Sequence, residues 1–224
     1  SEKQAAELTS MSKAFIFQKG EWSKIKDWIG NSKSGHGLNG ISYNGNHERE
    51  KHDFYATNPH SVDIFLERIK KDNIVLPKTI HEPACGQGHI SKELEKYGYN
   101  VVSSDLYDYG YGKSGLDFLK SIDKADCFFT NPPYKFALQF VEKSVENLKP
   151  DGMSIMYLKI QFLEGKERNL FFKKHPPKYV YVNSSRQMCA KNGDFGGSPS
   201  NLMCYAWYIW DKNFHGDTII RWID

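Results

Sequence analysis

From residue 79 onward the chain alternates short runs of β-branched and aromatic residues with stretches whose apolar positions recur at helical spacing. The runs fall at 79–82, 100–104, 126–130, 153–158 and 179–182, and the helical patterns at 61–71, 89–97, 136–148 and 166–174. A helix between two strands carries the chain back across the sheet, so successive strands enter in the same direction. The alternation predicts βαβ units and a mostly parallel α/β sheet with helices on both faces. Near the C-terminus the pattern changes. Residues 203–210 (MCYAWYIW) form an apolar run of strand length and residues 218–222 a shorter one, with no helical pattern before either. These predict a hairpin-like antiparallel edge that brings the sheet to seven strands.

At 224 residues the chain suffices for one well-buried domain with appendages. Residues 53–224 carry the regular pattern and are expected to be that domain, with 1–52 an N-terminal extension. Residues 1–13 are polar and carry no functional expectation, a leader before Met11 being one reading of them. Trp22, Ile25, Trp28 and Ile29 fall at helical spacing and predict a short amphipathic helix, while residues 30–50, rich in Gly, Asn, Ser and His, read as a linker or as a loop that orders on substrate. A formal net charge of +3 is too small for long-range attraction to phosphate, so nucleic-acid binding would need a local patch. The four cysteines, Cys85, Cys127, Cys189 and Cys204, form no CxxC pair, and neither a metal site nor a disulfide framework is expected. No apolar run approaches the roughly 20 residues that span a bilayer, and no secretory signal is evident. A cytoplasmic protein without a membrane partner is expected.

The run at 79–82 leads into Pro83-Ala84-Cys85-Gly86-Gln87-Gly88, a glycine turn ahead of a helix that starts near His89. Glycines there admit close backbone approach, and a helix N-terminus presents free N–H groups. A dinucleotide loop would carry a third glycine where Ser91 stands, and no Walker lysine follows. Asp105 lies 17 residues past Gly88, at the end of the next strand. A carboxylate there can accept both ribose hydroxyls of an adenosine, or it can simply cap the turn. The strand 126–130 ends in Asn131-Pro132-Pro133-Tyr134. Two prolines cannot sit within a sheet, so the tetrapeptide lies beyond the strand's C-terminal end, where open α/β sheets bind ligands.

Glu82 through Gly88 resembles the S-adenosylmethionine (SAM) motif of the amino-methyltransferases, and Asn131-Pro132-Pro133-Tyr134 resembles their catalytic tetrapeptide. Asp53-Phe54-Tyr55-Ala56-Thr57-Asn58-Pro59 is similar to the second half of their methionine pocket, and Asp117-Phe118 to their third cofactor element. The resemblance implies a Rossmann-like class I methyltransferase fold and a cofactor site of Tyr55, Thr57, Asn58, Glu82, Ala84, Gly86, Gly88, Asp105, Leu106, Asp117, Phe118 and Asn131. In that site Glu82 lies near the methionine amino group and Asp117 accepts from the adenine amino group, with Phe118 against the ring. SAM is the implied cofactor and S-adenosylhomocysteine the product. Asn131, Pro132, Pro133 and Tyr134 are the implied catalytic residues: the Asn131 oxygen and the Pro132 carbonyl each accept one hydrogen of the target amine, and Tyr134 stacks on an extruded base. The compact size and the Asp53-Phe54-Tyr55-Ala56-Thr57 opening are similar to phage and prophage DNA adenine-N6 methyltransferases, which implies a bacterial or phage-infected cytoplasm.

The same motif pair serves methylation of RNA bases, of DNA cytosine N4 and of protein glutamine, all of which present a conjugated NH₂. DNA is the first reading. The element at 53–59 favours it, because glutamine methylases carry a helical substrate domain there and residues 14–50 show none. A non-catalytic binding module and a subunit that needs a partner are readings of a different class, and the choice of monomer or homodimer is open. No separate recognition domain is expected in the residues after Tyr134. Sequence recognition falls to loops, with Arg186 and Lys191 in 183–202 and Arg49 and Lys51 in 30–52 as candidate phosphate contacts, or else to solvated surface.

Overall fold

The computed structural model describes residues 55–185, 189–191 and 203–223, all within the compact unit Asn46–Asp224. The expected helix at 21–29, the loop at 30–50 and the leader lie outside the described residues. β1 (Tyr55–Thr57) and α1 (Pro59–Lys71) lead into β2 (Thr79–Glu82), α2 (His89–Lys96), β3 (Asn100–Ser103) and β4 (Ala125–Thr130). Then come α3 (Ala137–Glu146), β5 (Leu148–Lys159), α4 (Lys166–Lys174), β6 (Tyr179–Asn183), β7 (Cys189–Lys191), β8 (Tyr205–Asp211) and β9 (Ile219–Ile223). No helix among the described residues is long and apolar enough to cross a membrane.

Seven strands form one sheet in the order β3-β2-β4-β5-β8-β6-β9, and β1 pairs with β7 in a separate antiparallel ribbon. Every neighbouring pair in the large sheet is parallel except the two that involve β8. The mostly parallel sheet is as expected, but the antiparallel strand is interior rather than at an edge. Burial explains its place. Tyr205 through Trp210 are all buried, so this strand requires cover on both faces and a neighbour on each side. The edge falls instead to β9, where Ile219, Ile220 and Trp222 are exposed.

The side-chain alternation of the strands sorts the core into two layers. Phe129, Ile155, Tyr157 and Trp207 face α1 and α2, meeting Val62, Phe65 and Ile69. Phe128, Met156, Leu158, Tyr208 and Trp210 face α3 and α4, meeting Phe140, Val141 and Phe171. α1 begins where its sequence directs: the Asn58 side chain accepts from the His60 N–H at 3.0 Å, and Pro59 occupies the first turn. At the other end of α1, Asp72 ties the helix to the sheet, accepting from Tyr181 Oη and Arg221 Nη1, each at 2.7 Å, and from Arg68 Nε at 3.1 Å.

From β2 the chain moves outward to β3 and then returns to the other side of β2 to form β4. The strand order reverses there, and the crevice beyond the C-terminal ends of β2 and β4 is the natural ligand position of an open α/β sheet.

Burial alone would raise the Asp72 pKa, but the bonds from Tyr181, Arg221 and Arg68 outweigh it and hold the carboxyl at about 2, below its ordinary 3.8. A lowered carboxylate pKa stabilises the fold above the unfolded value and loses that contribution as pH falls through the folded one. Asp72→Asn is expected to lower unfolding free energy by about 1–3 kcal/mol near neutrality. In urea unfolding followed across pH, its deficit relative to the unsubstituted protein should shrink between about 3.8 and about 2.

Candidate functional site

A cavity of about 540 Å³ opens at this reversal point, lined by Glu82 from the end of β2, Asp105 past β3, Asp117 before β4 and Asn131 past β4. Thr57 and Tyr134 complete its far wall. Sequence elements that lie far apart are thus brought together at one crevice.

The glycine turn is built from within. Gly86 and Gly88 both take left-handed backbone, at φ 51° and 77°, conformations that cost a residue with a Cβ. A Cβ on Gly88 would stand 2.3–2.6 Å from the Tyr111 ring. The close approach that requires glycine is therefore made by the protein's own tyrosine. Gly86 donates its N–H to Asp105 Oδ2 at 2.9 Å, and Tyr107 donates to Asp105 Oδ1 at 3.0 Å. Asp105 therefore has the turn-capping role and also faces the cavity, with acceptor capacity left on each oxygen.

Glu82 is almost wholly buried, 1% exposed, and accepts a hydrogen bond from the Ser91 hydroxyl, which also contacts Ser103 Oγ at 2.6 Å. Burial, which outweighs the Ser91 bond, pushes its carboxyl pKa well above the ordinary 4.5. Among the described residues no cation is paired with it. Burial likewise raises Asp105 against the bonds from the turn. Asp117 accepts from the Leu119 N–H at 3.1 Å and pairs with the exposed Lys120 at 3.0 Å. Phe118 is a core residue as much as a wall, with ring centroids 5.2 Å from Phe128 and from Phe140.

Asn131 Nδ2 donates to the Tyr55 carbonyl and to Thr57 Oγ1, each at 3.0 Å. A carbonyl can only accept, so the amide nitrogen must face β1 and the oxygen must face away. Asn131 Oδ1 is buried and has no hydrogen-bond partner among the described residues. Tyr134 is packed on more than one side: its ring lies 5.6 Å from Tyr55 in a stack, 6.0 Å from Tyr205, and 4.5 Å from Lys159 Nζ.

Not every expected cofactor residue lines the cavity. Ala84, Leu106, Phe118, Tyr55 and Thr57 do, whereas Asn58 caps α1, and Gly86 and Gly88 shape the turn from behind. Pro132 and Pro133 line it beside Asn131. Arg49, Lys51 and Arg186 lie outside the described residues. Of Lys191 only the backbone is described, opposite Tyr55 in the β1–β7 ribbon. That ribbon, the contacts of Thr57 with Asn131, and the wall formed by Tyr107, Tyr109 and Leu116 were missed in the sequence. The tyrosine-glycine run at 107–112 was a signal for the last. Among the described residues no group of three or more His, Cys, Asp or Glu is placed to hold a metal ion.

No family model matches the chain, and no curated protein matches it in sequence. Solved structures match its architecture. A Listeria monocytogenes protein described as a class I SAM-dependent methyltransferase superposes with a TM-score of 0.52 at 15% identity, over 74% of this chain and 64% of that one. A protein of Vibrio vulnificus described as the modification subunit of a type I restriction enzyme gives 0.52 at 13% identity, over 92% and 52%. The chain has the class I methyltransferase fold. The M protein of the type I restriction enzyme EcoKI shares this fold at 0.52 and 13% identity, over 72% and 44%. The chain thus spans 44% to 64% of the length of these proteins.

Gly88→Ala is expected to cost about 1–2 kcal/mol for left-handed backbone alone, with a further steric cost against Tyr111. In chemical denaturation, adding Tyr111→Ala should remove the steric part and leave the backbone part. Strict additivity of the two substitutions would show that the ring does not press on Gly88.

Proposed function

We propose that this chain is a SAM-dependent methyltransferase acting on an exocyclic amino nitrogen, with adenine N6 in DNA as its target. The observation that carries the reading is Asn131: an amide clamped by two donated bonds so that its oxygen is a buried acceptor with an open valence, at the wall of the cavity. Leaving such an oxygen unpaired costs about 1–3 kcal/mol, which a ligand N–H placed against it would recover.

The other residues fit SAM. Glu82 is a buried carboxyl that a cationic amino group would ionise and satisfy, and Asp105 retains lone pairs for ribose hydroxyls. Leu106 and Leu116 are apolar cavity residues with 46% and 41% of their surface exposed, available to cover an adenine ring. Bound there, the cofactor supplies an electrophilic methyl on a sulfonium.

An adenine amino nitrogen is a weak nucleophile because its lone pair is delocalised into the ring. Asn131 Oδ1 accepts one of its hydrogens and the Pro132 carbonyl the other. The two acceptors draw the nitrogen toward tetrahedral geometry and turn its lone pair toward the cofactor side of the cavity. Positioning and a preorganised field supply the rate. No side chain need remove a proton beforehand, since the alkylated nitrogen is acidic and can lose one to water. Thr57 acts through Asn131, holding the amide in the orientation that points oxygen inward.

DNA is favoured by the resemblance of residues 53–59 and by two matched folds, one described as a modification subunit and one as the M protein of type I restriction enzymes. Residues 53–224 form the methyltransferase domain in this reading, with segments 1–52 and 183–202 contributing to target recognition.

Asn131→Ala is expected to keep the melting temperature and SAM affinity, measured by calorimetric titration, while transfer falls roughly 10²–10³-fold. Loss of SAM affinity in parallel with transfer would place Asn131 in the cofactor site alone, and undiminished transfer would contradict its role at the amine.

A further inference from the structure

The two edges of the seven-stranded sheet are finished differently. β3 is covered by the loop that follows it: Lys113 donates its N–H to the Ser103 carbonyl at 2.9 Å, and its carbonyl accepts from the Asp105 N–H at 3.0 Å. β9 pairs with β6, and among the described residues no strand lies on its other side. Edge strands are ordinarily guarded against further pairing by a charge, a proline or a bulge. β9, Ile219 to Ile223, has no proline, and its register with β6 is unbroken. Its one charged side chain, Arg221, is bound back to Asp72 at 2.7 Å. What the strand shows to solvent is apolar, with Ile219, Ile220 and Trp222 exposed to 45%, 47% and 57%.

The backbone is divided in step with the side chains. The Ile219 N–H donates to the Lys178 carbonyl and the Ile223 carbonyl accepts from the Ser184 N–H, so Ile219, Arg221 and Ile223 direct their backbone groups at β6. By alternation, Ile220 and Trp222 direct theirs outward. These two also share a sheet face with their register partners Val180 and Val182, in the layer that meets α3 and α4. A strand added at this edge would find both open backbone groups and apolar side chains.

We propose that β9 is a self-association edge, at which two copies of the chain pair antiparallel about a twofold axis through Ile220 and join their sheets into one. That register opposes Ile220 to its own counterpart, Trp222 to Thr218 of the partner subunit and Arg221 to Ile219 of the partner subunit. Outward-directed residues then face one another and exchange backbone bonds, apolar side chains become cross-strand neighbours, and no like charges are opposed. A twofold through Arg221 would instead set two guanidiniums against each other. The contact is isologous, so it closes at two copies and leaves neither β9 exposed. Lys113 keeps β3 out of the assembly. The pairing is independent of the chemistry proposed for the cavity, which opens beyond β2 and β4.

Sedimentation equilibrium of the full chain over a roughly hundredfold concentration range, in reducing buffer, reads the assembly directly. A reversible dimer with no larger species is expected. Trp222→Lys, which supplies the guarding charge, should weaken dimerisation at least about tenfold. Ile220→Pro removes an outward N–H while leaving the bonds to β6, and should do the same; if it does not fold, Ile220→Lys takes its place. Under mild oxidation Ile220→Cys should yield a disulfide-linked dimer beyond the background of the unsubstituted protein, and Ile219→Cys should not, since only position 220 opposes itself. A monomer throughout the range, a dimer that both edge variants leave intact, open-ended association, or cross-linking at 219 in place of 220 would each overturn the proposal.

Discussion

The pair of hydrogen bonds from Asn131 Nδ2 to the Tyr55 carbonyl and Thr57 Oγ1 is the constraint on which the site depends. An asparagine at the end of a strand can rotate its amide to present either nitrogen or oxygen, and the two faces do opposite chemistry. Because the Tyr55 carbonyl can only accept, the nitrogen is committed to the protein and the oxygen faces away from β1. The fold itself thereby orients the acceptor; in the proposed function this removes reorganisation from the chemical step.

β1 holds that position through a ribbon with β7, a strand that belongs to the chain between β6 and β8. Tyr55 faces Lys191 and Thr57 faces Cys189 in this pairing. The segment with candidate phosphate contacts is therefore joined through backbone to the element that orients the Asn131 amide. On the cofactor side the equivalent economy is Asp105, whose carboxylate both fixes the glycine turn at Gly86 and faces the cavity.

Much of this was legible because it depends on local chain chemistry. The prolines at 132 and 133 cannot continue β4, and the glycines at 86 and 88 mark a turn that both adopt in left-handed conformation. What was not legible depends on distant partners. The interior position of β8 follows from burial on both faces, which its apolar run permitted without dictating which strands would flank it. A glycine at position 88 suggests room for a ligand, yet its neighbour is Tyr111, a residue 23 positions later with no periodicity to betray the contact. Lys159 closes an ordinary apolar strand, and only the register of β5 against β4 reveals that it reaches Tyr134.

If the open acceptor on Asn131 serves a conjugated amine of a nucleobase, as proposed, the identity of the methylated product reveals it most directly. Purified protein would be incubated with methyl-labelled SAM and unmethylated genomic DNA, and the DNA digested to nucleosides and separated. Label in N6-methyldeoxyadenosine is expected; SAM bound by the protein with no label in any amino-methylated nucleoside, from DNA or from RNA treated alike, would rule out that role for Asn131.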